Sequence, residues 1–302
     1  MSDLLLGLLL MAVLSAGLFC IARRAGRFYS KRATRLLAVT TVGAILCYTR
    51  VLWDSPLLAT VLPFSNLIVL GNWFPLGSAV LAGLVIDEIP MSRRHLIISA
   101  LAAMAGFSMF EPLLGTTPEC HQCWSDEGDC VQTTDATCSP ACAVTLLRMH
   151  GIATTEQEMA ELCLTRRGTR WQGLYRGLKA KTSGTPWDVE IILCSTDELN
   201  DIPGQMILTV GIDQNSLNAE MLRSEAGWQP DVNHSVLRVS VDRNGVSEII
   251  DPSPDYGREL WTNPAMNTLY RGHAIRLVQR NSRHQSGLVS ALANVTSSLG
   301  IH

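Results

Sequence analysis

Two cysteines four residues apart, Cys138 and Cys142, stand in the stretch "QTTDATCSPACAVTLLRMHGI" (residues 132–152), with Gln132 six residues before the first. A thiol becomes a strong nucleophile only when a base takes its proton, so the stretch raises the question of a partner histidine. His234 opens the alternating run "HSVLRVSV", and Asp251 follows seventeen residues later, beyond the turn sequence "DRNG". A hairpin of this kind sets a base and its orienting carboxylate on neighbouring strands. The roles then fall out by chemistry. Cys138 attacks, His234 carries the proton, Asp251 accepts the other imidazole N–H and fixes its tautomer, and Gln132 joins the Cys138 backbone N–H at the oxyanion. His150 and His273 compete, each beside a glycine, but neither has a strand and an aspartate following it. Taken singly, a strand histidine is an ordinary surface or core residue and Asp-Pro an ordinary turn; the reading rests on the ordered set.

These residues need elements to hold them. Ala141, Val144, Leu146, Leu147 and Met149 recur near helical spacing after "TCSP", with Pro140 in the first turn and Gly151 as a stop. Cys138 therefore falls at a helix start, where unpaired N–H groups and the helix dipole stabilise a thiolate. Cys142, one turn further in, reads as a small core residue. A second helix is predicted over "TTEQEMAELCLTRRG" (154–168), with Thr155 as N-cap and Glu158 three residues on. A third, in "GTRWQGLYRGLKAKTSG", packs Trp171, Leu174 and Leu178. The period then changes to two, and "WDVEIIL", "QMILTVGI", "HSVLRVSV", "VSEIID" and "AIRLV" read as strands. Helices followed by a mostly antiparallel sheet predict an α+β domain.

The ordered set resembles the papain-like cysteine peptidase domain of bacteriocin-processing, double-glycine leader peptidases, which usually stands at the N-terminus of peptide-exporting ABC transporters. The matching features are Gln132 and Cys138, "MHGI", "EQEMAEL", "GTRWQGL", His234 in "NHSVLRVSV", and Asp251-Pro252 in "IIDPSPDYG". They cover roughly residues 130–280, about half the chain. The resemblance implies a papain-like fold and a Cys138–His234–Asp251 triad assisted by Gln132. The implied substrate is a peptide or protein, such as a leader peptide cut after small residues. No cofactor, metal or nucleotide is implied. No G-x-x-x-x-G-K-[ST] motif occurs, so a peptide exporter is expected as a separate partner. The chain departs from the family at Ser139, where a glycine usually follows the nucleophile. That departure keeps a catalytically inactive peptide-binding module of the same fold as the alternative.

The first half has a different character. Residues 1–115 carry nine Lys/Arg and five Asp/Glu, whereas the remainder carries 15 and 22. A basic apolar region before an acidic mixed one predicts membrane helices followed by a soluble domain. The basic residues do not cluster on the soluble part, which argues against a nucleic-acid partner. Residues 4–22, 36–53 and 95–114 are long and apolar enough to meet the lipid bilayer as spans. Residues 57–86 lack charge but contain Pro63 and Pro75, and would cross once or twice. The basic loop 23–35 and the pair Arg93–Arg94 both lie in the cytoplasm only if 57–86 crosses once. The expected organisation is a transmembrane region of about four helices (1–114), a cysteine-containing connector (115–129), the peptidase domain (130–282) and a tail (283–302). The expected location is the bacterial plasma membrane with the peptidase domain outside the cytoplasm. Cys120, Cys123 and Cys130 in the connector are expected to form a disulfide there. A membrane thiol–disulfide oxidoreductase using Cys120 and Cys123 is the distant alternative, since no strand–helix thioredoxin context surrounds them.

Overall fold

The computed structural model describes residues 2–213 and 229–280. The tail expected over 283–302 lies outside them. The chain divides into two compact units, Met1–Thr116 and Thr117–His302.

The first unit is all helical. It contains α1 (Ser2–Phe28), α2 (Lys31–Cys47), two single turns α3 (Leu58–Val61) and α4 (Leu67–Leu70), then α5 (Phe74–Val85) and α6 (Met91–Phe110). A π-helical turn, Tyr48–Leu52, prolongs α2. Among the described residues, four stretches are long and apolar enough to cross a membrane: Asp3–Phe28, Lys31–Leu52, Leu67–Val85 and Met91–Leu113. The disputed segment 57–86 thus contains a single candidate span among the described residues. Its prolines explain why the rest of it is short turns: Pro63 follows α3, and Pro75 sits in the first turn of α5, where a missing N–H costs nothing.

Helix α5 packs against α1, α2 and α6. Small residues permit the approach, as expected where lipid offers no hydrophobic drive between helices. A β-carbon on Gly83 would stand 2.5 Å from the Phe19 carbonyl oxygen, and one on Gly77 2.6 Å from the Ile45 side chain. At one end of the bundle, Arg27 and Arg23 reach Asp87 at 2.6 and 3.6 Å, and Arg35 reaches Glu88 at 3.7 Å. At the other end, the Ser65 hydroxyl donates to Asp3 at 3.3 Å, and the Asn72 amide donates to the Ser108 carbonyl at 2.7 Å. There too, the Tyr48 hydroxyl donates to the Gly71 carbonyl and accepts the Trp73 N–H at 3.1 Å.

The second unit is α+β. A two-stranded hairpin, β1 (Cys123–Trp124) and β2 (Cys130–Val131), leads into three helices: α7 (Cys138–Met149), α8 (Glu156–Leu162) and α9 (Trp171–Lys181). Then come β3 (Trp187–Leu193), α10 (Thr196–Asn200), β4 (Met206–Val210), β5 (His234–Val241), β6 (Ser247–Asp251), β7 (Gly257–Trp261), α11 (Asn263–Leu269) and β8 (Tyr270–Gln279). Six strands form one antiparallel sheet in the order β3-β8-β4-β5-β6-β7. Alternation along the central strands supplies two cores. Met206, Leu208, Val210, Val236 and Ile249 join Leu199 of α10 and Met266 and Leu269 of α11. Helix α7 packs against β4 and β5 and is buried over nearly its whole length.

The stretch read as a plain connector is structured. The Cys130 N–H donates to the Thr145 hydroxyl of α7 at 2.9 Å. Arg148 of α7 donates to the Gly128 carbonyl at 2.9 Å while stacking over Trp124, 4.6 Å from the ring centre. Asp129 takes two hydrogen bonds from Arg258 of β7, at 2.8 and 3.2 Å. The expected disulfide is absent: Cys120, Cys123 and Cys130 are free thiols. The β1–β2 register gives one reason, since Cys123 pairs with Val131 and Cys130 with Trp124, which leaves the two cysteines offset. Among the described residues, no group of three or more His, Cys, Asp or Glu side chains is arranged to hold a metal ion.

Candidate active site

Helix α7 starts at Cys138, with Thr137 at its N-cap. The preceding loop is held by its own threonines: the Thr137 hydroxyl donates to the Thr134 carbonyl at 2.9 Å, and the Thr134 N–H donates back at 3.2 Å. Ahead of them, Thr133 donates through its N–H and hydroxyl to Glu156, at 2.9 and 2.8 Å. Glu156 is fully buried at the start of α8, so those bonds satisfy a carboxylate and fix the approach to Cys138 together. Cys138 as a residue is half-buried.

His234 opens β5 and Asp251 closes β6, and these strands run antiparallel side by side. The start of one strand therefore lies beside the end of the next. The His234 Nε2 stands 2.9 Å from Asp251 Oδ1. Asp251 is buried, and its carboxylate also accepts the Ser253 N–H at 2.8 Å. Cys138 comes against the same imidazole from α7, and each shifts the other's titration.

The charges in this row reinforce one another. Burial by itself would push the Cys138 thiol up, but the His234 hydrogen bond and charge, with donation from the Ser235 N–H and the Ser139 hydroxyl, bring it below its ordinary value. Burial would likewise lower His234, yet Asp251 and Cys138 raise it to about 10. Asp251, opposed by burial, is held below the usual carboxylate range by His234 and Ser253. All three shifts act in the direction of a thiolate–imidazolium pair backed by a carboxylate, the form in which a cysteine attacks a carbonyl.

Gln132 is brought to the row through its backbone, whose N–H donates to the Pro252 carbonyl at 2.7 Å. Its side-chain amide donates to the Thr134 carbonyl at 3.2 Å, and its Oε1 is buried without a partner. The competing histidines are elsewhere. His150 Nδ1 lies 2.8 Å from the Leu146 carbonyl and its ring packs edge-on to Trp187 at 4.4 Å. His273 stands opposite Leu193 on β8, which β4 separates from β5.

Sequence reasoning missed Ser235. The Ser139 and Ser235 hydroxyls are 2.8 Å apart, both buried, and the Cys142 thiol donates to the Ser235 carbonyl at 3.3 Å. The only signal for it was adjacency, since each serine directly follows a residue of the row.

Several solved structures are similar to this chain. One is the peptidase domain of Streptococcus ComA, a bifunctional ABC transporter of a quorum-sensing pathway, at 18% identity and TM-score 0.39, covering 50% of this chain and 96% of that one. A double-glycine motif protease from an AMS/PCAT transporter, in complex with the leader peptide, aligns at 11% identity and TM-score 0.39, covering 55% and 96%. The peptidase domain of Streptococcus mutans ComA aligns at 19% identity and TM-score 0.31, covering 49% and 96%. No protein-family model and no curated protein matches the chain.

Proposed function

We propose that this chain is a membrane-anchored, papain-like cysteine peptidase. The observation that carries the reading is the unbroken row from the Cys138 thiol through His234 to Asp251, with the thiol at a helix start and His234 and Asp251 on adjacent strands. The Cys138 thiolate attacks the scissile carbonyl carbon, and the carbonyl electron pair moves onto oxygen. The Cys138 backbone N–H and the Gln132 amide receive that oxyanion. The His234 imidazolium then gives its proton to the leaving amine, the C–N bond breaks, and a thioester remains on Cys138. Water, giving a proton to His234, attacks the thioester and releases the acid and the thiolate. Asp251 holds the imidazole in one orientation throughout.

The substrate class is a peptide or protein; a leader peptide cut after small residues, delivered to a separate exporter, is the form suggested by the resemblance. The four candidate spans hold the enzyme in the bilayer, with the domain outside the cytoplasm. Ser139, the departure from the resembled family, favours activity over a dead binding site, because its hydroxyl engages Ser235 and is among the groups that lower the Cys138 thiol. The test is cleavage of a peptide library by the detergent-solubilised full chain, compared with Cys138→Ala. Cleavage lost only in the variant supports the peptidase. Binding of peptides without cleavage by either protein makes the chain the inactive module instead.

A further inference from the structure

Ser139 and Ser235 are 96 positions apart, yet their hydroxyls meet at 2.8 Å and both residues are buried. Each is the next residue after a member of the proposed catalytic row, Cys138 on α7 and His234 on β5. The hydroxyl pair is therefore a strut between the two elements whose separation sets the thiol–imidazole distance. Cys142 strengthens it one helical turn on, by donating to the Ser235 carbonyl. Ser139 directly follows Cys138, and its hydroxyl is among the groups that lower the Cys138 thiol.

A hydroxyl has one proton and two lone pairs, so the pair admits a definite polarity. If Ser235 donates to Ser139, the Ser139 proton is free to point at the sulfur. Nothing is lost by this when the sulfur is a thiol. When it is a thiolate, Ser139 gains a charge-assisted bond, which is about twice as strong as a neutral one. The pair thus favours the ionised nucleophile. The titratable groups facing the sulfur are His234 from β5, with Asp251 behind it from β6, and Cys142 from its own helix.

We propose that Ser139 and Ser235 form a positioning pair that fixes Cys138 against His234 and donates, through Ser139, to the Cys138 thiolate. This rests on the peptidase reading and adds two residues to its machinery. Neither touches the reacting carbonyl.

The experiment is alkylation of Cys138 in the detergent-solubilised full chain, by short iodoacetamide pulses across a pH series. The Cys138 peptide is quantified by mass spectrometry, which separates it from the other eight cysteines. Wild type should alkylate with a midpoint below that of an ordinary thiol. Ser139→Ala should cut the thiolate share at a pH below the midpoint by roughly tenfold or more, the range for losing a bond to a charged group. Ser235→Ala should move the midpoint the same way by less, and Ser235→Thr, which keeps the hydroxyl on a strand suited to β-branched residues, should restore it. Wild-type titration in both alanine variants overturns the pair while leaving the triad standing. An ordinary midpoint in wild type itself overturns the triad reading, and the pair with it. Should Ser139→Ala not fold, Ser235→Ala decides by the same criterion.

Discussion

His234 Nε2 lies 2.9 Å from Asp251 Oδ1, and the same imidazole is raised further by the Cys138 sulfur beside it. One ring is therefore held from both sides, by a buried carboxylate and by a sulfur at a helix start. Losing either flank has different consequences. Cys138→Ala should abolish turnover with the fold intact. His234→Ala should remove nearly all activity, because no other group takes the proton. Asp251→Asn should lower kcat by about 10²–10⁴ and spare KM, since orientation and tautomer are lost but the base remains. Full activity in His234→Ala, or dependence on His150 or His273, would overturn the assignment; peptide-cleavage kinetics on the three variants decide it.

The pH dependence follows from the same ring. Activity needs the thiolate and the imidazolium together, so kcat/KM should fall at low pH as Cys138 is protonated and at high pH as His234 loses its proton, near 10. Asp251 is one of the groups that raise His234, so Asp251→Asn should move the alkaline limb to lower pH while the acid limb shifts less. A pH–rate profile of wild type and variant reads this directly. An alkaline limb that stays in place would show that Asp251 does not hold the charge on His234.

Stability should also vary with pH, with a sign fixed by linkage. The raised His234 contributes fully below its ordinary 6.5 and loses that contribution as pH rises towards about 10. The lowered Cys138 contributes fully above its ordinary 9.0 and loses that contribution as pH falls. Where the lowered Cys138 is ionised and the raised His234 still protonated, the two trends cancel between 6.5 and 9.0, because folding then moves a proton from thiol to imidazole without net uptake. Denaturant midpoints of wild type minus Cys138→Ala/His234→Ala should therefore be flat across that window and fall on either side. A difference that slopes steadily through neutrality would mean that the folded pair holds one proton more or one fewer than the unfolded groups, as thiol with imidazolium or as thiolate with neutral imidazole.

Gln132 gives a narrower expectation. Its backbone bond to Pro252 ties it to the Asp251 end of β6, and its Oε1 is buried without a partner. A donor that serves only the oxyanion acts on kcat. Gln132→Ala should lower kcat by about 10²–10³ with KM nearly unchanged. A rise in KM at constant kcat would assign Gln132 to substrate binding instead.

Much of this was legible because the decisive signals are local. "TCSPA" marks a helix start at Cys138, Thr155 accepts the Glu158 N–H as its capping pattern implies, and "DRNG" turns on Gly245 at φ +78. Strands β3 and β5 match the alternating runs "WDVEIIL" and "HSVLRVSV" end to end. Strand β7 escaped because "GRELW" is the sheet edge, with Trp261 its single buried residue and Arg258 and Glu259 taken up by pairing. The hairpin β1–β2 escaped because two-residue strands have no period to read. The Ser139–Ser235 bond and the burial of Glu156 under Thr133 join residues far apart in sequence, and polar types predict neither.

The last expectation concerns the side of the membrane. Arg23, Arg27 and Arg35 gather with Asp87 and Glu88 at one end of the bundle, and Arg93 and Arg94 open the helix that follows. The hydrogen bonds of Asp3 and Ser65 and of Asn72 and Ser108 belong to the other end. One candidate span, Leu67–Val85, connects the ends within the segment that sequence left open. All five arginines then share one face, which the positive-inside rule assigns to the cytoplasm, and α6 carries the chain away from it. A reporter fused after His302 should accordingly show active alkaline phosphatase, while a fluorescent protein that matures only in the cytoplasm should stay dark. Removing charge at that face, by Arg93→Gln with Arg94→Gln, should weaken the preference and yield a mixed signal. The reverse reporter pattern in wild type would place the second unit in the cytoplasm and require residues 57–86 to cross twice.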